Sequence, residues 1–74
     1  MMMAKLARQI HIRFEGRSYD LTMAQLQLVG DVSDAQIRMA VAQYLDVGLD
    51  RLEGYVVERH GTGNFTLRPE AVFG

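Results

Sequence analysis

The chain has 74 residues, of which 49% are hydrophobic and 23% are charged, and it carries a formal net charge of −1 with no cysteine. This length allows a single domain over residues 1–74, and the ordinary globular composition argues against intrinsic disorder. The lack of cysteine excludes disulfides, thiolate metal sites and thiol nucleophiles, and the small negative charge gives no general attraction to nucleic acid or anionic lipid.

The first residues, Met1 to Lys5, contain one lysine and no long apolar run. They are typical neither of a signal peptide nor of a membrane-spanning helix. We expect residues 1–5 to be disordered. We expect the protein, which has no cysteine, to be cytoplasmic.

Apolar and polar residues alternate from Leu6 to Glu15, which predicts a half-buried strand. Gly16 suits the first central position of a two-residue type II′ turn, after which the alternation continues in a second strand. A loop of Gly16 and Arg17 fixes the register of this hairpin. The cross-strand pairs predicted by that register are Phe14 with Tyr19, Ile12 with Leu21, Ile10 with Met23 and, on the polar face, Arg13 with Asp20.

The next stretch, from Thr22 to Val32, fits two structures. Thr22 and Gln25 have the spacing of a capping box, and Gly30 is placed to end a short helix. Leu26 and Leu28 instead alternate as in an extended crossing. We favour an irregular connection whose leucines fill the core.

A second capping box, Ser33 to Gln36, precedes apolar residues spaced by three and four. This pattern predicts a helix from Ser33 to Asp46 that stops near Gly48, with an apolar stripe of Ile37, Ala40, Val41, Tyr44 and Leu45. One further turn is predicted over residues 50–53.

Two more strands are predicted, at residues 55–59 and 65–68. A three-residue loop of Gly61, Thr62 and Gly63, with Gly63 in the left-handed conformation, fits the connection between them. In this register Val57 faces Leu67, Glu58 faces Thr66, and Arg68 lies diagonal to Glu58. Pro69 cannot donate to a ladder, so pairing either ends there or leaves Pro69 on an unbonded side.

The predicted fold class is α+β, a ββαββ chain in which a four-stranded mixed sheet packs on one helix. A helix of about fourteen residues is about 21 Å long, which is enough to cover such a sheet. The opening hairpin, capped helix and closing hairpin resemble the β-grasp fold of ubiquitin-like proteins and small bacterial sulfur carriers over about residues 6–74. For a carrier, the resemblance implies activation of the carboxylate of Gly74 by an adenylating enzyme.

The sequence offers no constellation for catalysis. His11 and His60 have no second ligand at metal-binding spacing, and neither Ser18 nor Ser33 has a histidine placed to activate it. The glycines around Thr62 are followed by a strand pattern, not by the helix that a phosphate loop requires. We therefore expect no enzymatic activity, no metal and no cofactor.

The predicted function is protein interaction by a small adaptor domain that serves as an accessory or assembly subunit. Its partner is another protein or a second copy of itself, because small cores are commonly supplemented by association. The apolar tail, residues 70–74, either packs on its own sheet or a second copy, or serves as an anchor for a partner. The predicted partner-binding residues are Val72, Phe73, Gly74, His11 and Arg13.

Two alternatives stand beside this function: a carrier activated at Gly74, and a nucleic-acid-binding module. The second would use arginines, with tyrosines as stacking surfaces. The candidate residues are Arg8, Arg13, Arg17, Arg59 and Arg68, with Tyr19 or Tyr55. The net negative charge and the acidic neighbours expected for two of these arginines argue against nucleic acid as a partner.

Overall fold

The computed structural model describes residues 8–70. Residues 1–5, which are predicted to be disordered, and residues 71–74 of the predicted apolar tail lie outside the described residues. The helix and strands are β1 (Gln9–Phe14), β2 (Arg17–Thr22), α1 (Asp34–Leu45), β3 (Tyr55–Arg59) and β4 (Phe65–Pro69). Two 3₁₀ turns, Ala24–Leu26 and Leu49–Leu52, flank α1 in the chain.

The four strands form one sheet in the order β2-β1-β4-β3. Each hairpin is antiparallel, and the two hairpins meet through the parallel pair β1 and β4, so the sheet is mixed. The predicted α+β class, with ββαββ order and one helix, is confirmed.

The core lies between one face of this sheet and α1. Side chains on β1 alternate between buried and more exposed positions, as a strand covered on one face requires. The largest fully buried side chains come from β1, α1, the second 3₁₀ turn and β4. They are Ile10, Ile12, Ile37, Val41, Leu52 and Leu67.

The first hairpin has a different turn from the one predicted. Glu15 and Gly16 are its central residues, with φ of 52° and 80°, which defines a type I′ turn in place of type II′. The register shifts by two residues, so Ile12 faces Tyr19. A shift of two keeps every side chain on its predicted face, but it replaces the expected Arg13–Asp20 pair by His11–Asp20.

The segment between β2 and α1 combines the two predicted structures. The capping box forms, because the Thr22 N–H donates to Gln25 Oε1 at 2.8 Å and the Gln25 N–H donates to Thr22 Oγ1 at 3.0 Å. It lies at the start of the first 3₁₀ turn, which ends at Gln27 in the left-handed conformation and not at Gly30. An irregular connection follows; Leu26 is buried in the core as expected, whereas Leu28 is only partly buried against it.

The helix begins and ends as predicted. The Gln36 N–H donates to Ser33 Oγ at 3.1 Å, and the Ser33 N–H donates to Gln36 Oε1 at 2.8 Å. At the other end, Asp46 is left-handed and the Val47 N–H reaches the carbonyl of Ala42 at 3.0 Å, which is a Schellman motif.

The second hairpin has the predicted register. Val57 faces Leu67 and Glu58 faces Thr66, and Gly63 supplies the left-handed position with φ of 92°. The Glu70 N–H donates to the Gly54 carbonyl at 2.8 Å. The neighbouring pair of Tyr55 and Pro69 is therefore a non-hydrogen-bonded pair, which leaves the proline nitrogen on an unbonded side as expected.

Candidate functional site

An open groove of about 450 Å³ lies between the first half of α1, the second 3₁₀ turn and the start of β3. The helix contributes Ala35, Arg38 and Met39, which share one face because they are three and four residues apart. The second 3₁₀ turn and β3 complete the wall. The remaining lining residues are Leu49, Asp50, Leu52, Glu53, Gly54 and Tyr55.

The groove exposes apolar side chains. Met39 is 52% exposed and Leu49 is 49% exposed, and both line the groove. Leu52, which also lines the groove, is fully buried and belongs to the hydrophobic core. The two half-exposed side chains make the groove a candidate contact surface.

Arg38 closes part of the edge of β3 beside the groove. Its Nε and Nη2 donate to the Tyr55 carbonyl at 3.3 and 3.2 Å. Tyr55 belongs to a non-hydrogen-bonded pair with β4, so this carbonyl points away from the sheet. The arginine therefore occupies an acceptor that an added strand would need.

The sheet face opposite α1 is polar. Asp20, His11, Thr66 and Glu58 form one row across the four strands. His11 Nδ1 lies 2.6 Å from Asp20 Oδ1, and His60 Nε2 lies 2.8 Å from Thr66 Oγ1. Each imidazole therefore has one nitrogen in a hydrogen bond with a neighbouring side chain.

Glu58 and Arg68 form an ion pair on the same face. Arg68 Nη2 donates to Glu58 Oε2 at 2.9 Å. This hydrogen bond is the main reason why the pKa of Glu58 is lowered from 4.5, and desolvation opposes it in part. The predicted diagonal contact between the two residues is confirmed.

The structure places two predicted partner-binding residues on this polar face. His11 pairs with Asp20, whereas Arg13 faces Ser18 and has no ion pair within residues 8–70. The other three, Val72, Phe73 and Gly74, lie outside the described residues. The polar face and the groove occupy different sides of the molecule, because the groove includes helix residues.

Several arginines considered for nucleic acid have other contacts. Arg59 donates to Asp34 at 2.7 Å, and Arg8 donates to the Gly30 carbonyl at 2.8 Å. Both guanidinium groups also lie over the ring of Phe65, at 5.2 and 5.8 Å from its centroid. Their positions are therefore explained by contacts within the fold.

The groove was not predicted from the sequence. Its one available signal was Met39, an apolar residue of the helix outside the predicted stripe. Tyr44, which was assigned to that stripe, is 50% exposed. Leu49 reaches the groove only through the packing of the second 3₁₀ turn on α1, which no local pattern encodes.

No known protein family, curated protein or solved structure matches this chain. Within residues 8–70, no three side chains of the metal-binding types are grouped so that they could hold an ion. The same part of the chain contains no helix with the length and apolar character needed to cross a bilayer.

Proposed function

We propose that this protein is a small non-catalytic interaction domain, an accessory or assembly subunit that binds a partner protein through its apolar groove. The observation that carries this proposal is the half-exposed pair of Met39 and Leu49 beside the buried Leu52. Fully burying a large apolar side chain contributes about 1.5–3 kcal/mol. Covering the exposed halves of Met39 and Leu49 therefore contributes roughly 2 kcal/mol to binding.

The partner we propose is a second copy of the chain. A 74-residue domain without disulfides has a thin core, and association is a usual supplement to such a core. A two-fold dimer uses the same surface patch on both subunits, so the apolar groove of one copy would face the apolar groove of the other. Arg38 occupies the Tyr55 carbonyl at the edge of β3, so at this position a second copy is expected to bind through side chains in the groove and not by adding a strand to the sheet.

Sedimentation equilibrium over a wide range of protein concentration tests this function. We expect the native chain to associate as concentration rises and Met39→Lys to remain monomeric. Tyr44→Lys is the matched control, because Tyr44 lies on the same helix with 50% exposure and does not line the groove. A native chain that stays monomeric throughout, or an equal effect of the two substitutions, contradicts self-association through the groove.

We further propose that the fold is β-grasp-like, and a carrier activated at Gly74 is the second candidate function. The β-grasp-like fold is supported by the parallel pairing of β1 with β4, which joins an opening and a closing hairpin around one helix. Carriers of this kind end in two glycines, whereas residue 73 here is phenylalanine, so this candidate is the weaker one. An activated carrier would hold a thiocarboxylate or an adenylate at Gly74. Intact-mass spectrometry of the protein isolated from its native cells tests for either group, and finding neither contradicts the carrier function.

A further inference from the structure

We propose that Met39 is a site of reversible oxidation by a peroxide, and that the sulfoxide formed there switches off self-association through the groove. This redox switch rests on the proposed function of the groove and adds its regulation. The site follows from the exposure of Met39, from the charges that line the groove and from the polarity of a sulfoxide.

The two methionines within residues 8–70 differ in exposure. Met23 is 3% exposed and belongs to the hydrophobic core, whereas Met39 is 52% exposed and lines the groove. A peroxide in solution must reach the thioether in order to oxidise it, so exposure decides which of the two side chains reacts. In the folded protein Met39 is therefore the site of oxidation and Met23 is protected.

The oxidation needs only the thioether and a peroxide. The sulfur lone pair attacks one oxygen of hydrogen peroxide, the O–O bond breaks and a sulfur–oxygen bond forms. The sulfur is oxidised by two electrons, and the leaving hydroxide takes the proton of the transferred oxygen and departs as water. A methionine sulfoxide reductase reverses the reaction with two thiols, which yields the thioether, a disulfide and water.

The charges around the groove favour a neutral oxidant. Asp50 and Glu53 line the groove together with one cation, Arg38, so the lining carries more negative than positive charge. Carboxylates repel anionic oxidants and leave a neutral molecule unaffected. Hydrogen peroxide is neutral, and it is the oxidant that we assign to this site.

Oxidation alters the groove at a position that the proposed dimer covers. Met39 and Leu49 supply its half-exposed apolar surface. A sulfoxide is polar, and burying its oxygen without a hydrogen-bond donor is unfavourable. We expect each oxidised groove to weaken the dimer by about tenfold. A two-fold dimer contains two such grooves, so oxidation of both copies should raise the dissociation constant by roughly a hundredfold.

Association and oxidation oppose each other. Met39 is open in the monomer and covered in the proposed dimer, so peroxide reacts with the monomer and holds it in that state. By the same linkage, association protects Met39 from the peroxide. The rate of Met39 oxidation should be about tenfold lower when about nine-tenths of the chains are paired, because only the free fraction reacts.

Sedimentation equilibrium before and after treatment with hydrogen peroxide tests the switch. We expect peroxide to weaken association of the native chain and reduction by methionine sulfoxide reductases to restore it. Met39→Leu is the matched control, since leucine has a similar volume, cannot form a sulfoxide and leaves the remaining four of the five methionines in place. We expect this variant to associate equally well with and without peroxide.

Two further measurements accompany the sedimentation. Peptide mass mapping should find the added oxygen at Met39 and not at Met23, at a rate that falls as protein concentration rises. Met39→Gln places a neutral polar group at the same position, so it should associate as weakly as the oxidised native chain without any peroxide. Urea denaturation at low protein concentration should show that the oxidised chain remains folded.

The outcomes separate the switch from the proposed function. If Met39 is oxidised and the native chain still associates as before, or if peroxide weakens the native chain and Met39→Leu equally, the switch is wrong and self-association stands. Oxidation of Met23 as fast as Met39, or loss of the fold on oxidation, also overturns the switch. A native chain that is monomeric at every concentration before treatment contradicts the proposed function, and the switch falls with it.

Discussion

Arg59, at the end of β3, donates to the carboxylate of Asp34 at 2.7 Å and so joins the closing hairpin to the first turn of α1. The same guanidinium donates to the Val32 carbonyl at 2.9 Å and lies 5.2 Å from the centroid of the Phe65 ring. One side chain thus holds the start of the helix over the sheet. Helix placement also shapes the groove, because the first half of α1 forms one of its walls.

Arg59→Ala is expected to lower the free energy of unfolding by about 1–2 kcal/mol, since a charged hydrogen bond to a backbone carbonyl and a cation–π contact are lost together. The partly exposed ion pair with Asp34 adds little to this figure. Urea denaturation measures the change. Arg17→Ala is the control, because Arg17 is exposed and has no side-chain hydrogen bond or ion pair within the described range. Similar losses for both variants would contradict a special role of Arg59.

Glu58 gives the fold a predictable dependence on pH. Its pKa is lowered from 4.5 in the folded protein, chiefly by the hydrogen bond from Arg68. A lowered folded-state pKa gives stability that is present above 4.5 and is lost as pH falls through the lowered value. Glu58→Gln should therefore reduce Tm at neutral pH and flatten the fall of Tm on acidification.

The check on Glu58 is a series of thermal melts between neutral and acidic pH. Glu53→Gln removes the same charge from an exposed side chain that has no ion pair in residues 8–70, so it controls for net charge. If Glu58→Gln and Glu53→Gln melt with the same pH profile, the ion pair with Arg68 does not contribute to the acid sensitivity.

Gly16→Ala is expected to destabilise the protein by about 1 kcal/mol or more, because an alanine is strained at the left-handed φ that this turn requires. Gly16 has a φ of 80°, and a Cβ placed there meets no atom within 4 Å, so backbone strain is the only cost. Gly61→Ala is the matched control, since its Cβ is equally free and its φ is not in the left-handed region. Chemical denaturation of both variants measures the difference, and equal stabilities would contradict the turn conformation.

Much of this fold could be predicted because its signals are local. The pair Ser33 and Gln36 marks the start of the helix through two hydrogen bonds between residues three apart. The period of two along β1 determines which face is buried, and the second hairpin follows from the position of Gly63.

The register of the first hairpin could not be read from the same pattern. A slip of two residues keeps Ile12 and Leu21 on the buried face in both registers, so hydrophobicity does not distinguish them. The choice depends on the turn, where Glu15 adopts a left-handed φ of 52° and its carboxylate contacts Arg51, a residue 36 positions away. The groove was not predicted for a related reason, since Met39 and Leu49 line the same groove only once the second 3₁₀ turn packs on α1.

At a protein concentration low enough for the native chain to be monomeric, Met39→Lys should leave the folded protein almost as stable as the native chain, although Met39 is a large apolar residue in the middle of α1. The side chain is 52% exposed, and lysine has nearly the helix propensity of methionine, so we expect a change within about 0.5 kcal/mol. Ile37→Ala, two positions away at a fully buried site, should cost about 2–5 kcal/mol. Urea denaturation of both variants makes the comparison. A loss at Met39 as large as the loss at Ile37 would mean that Met39 belongs to the core, and the groove would then lose one of its two half-exposed apolar side chains.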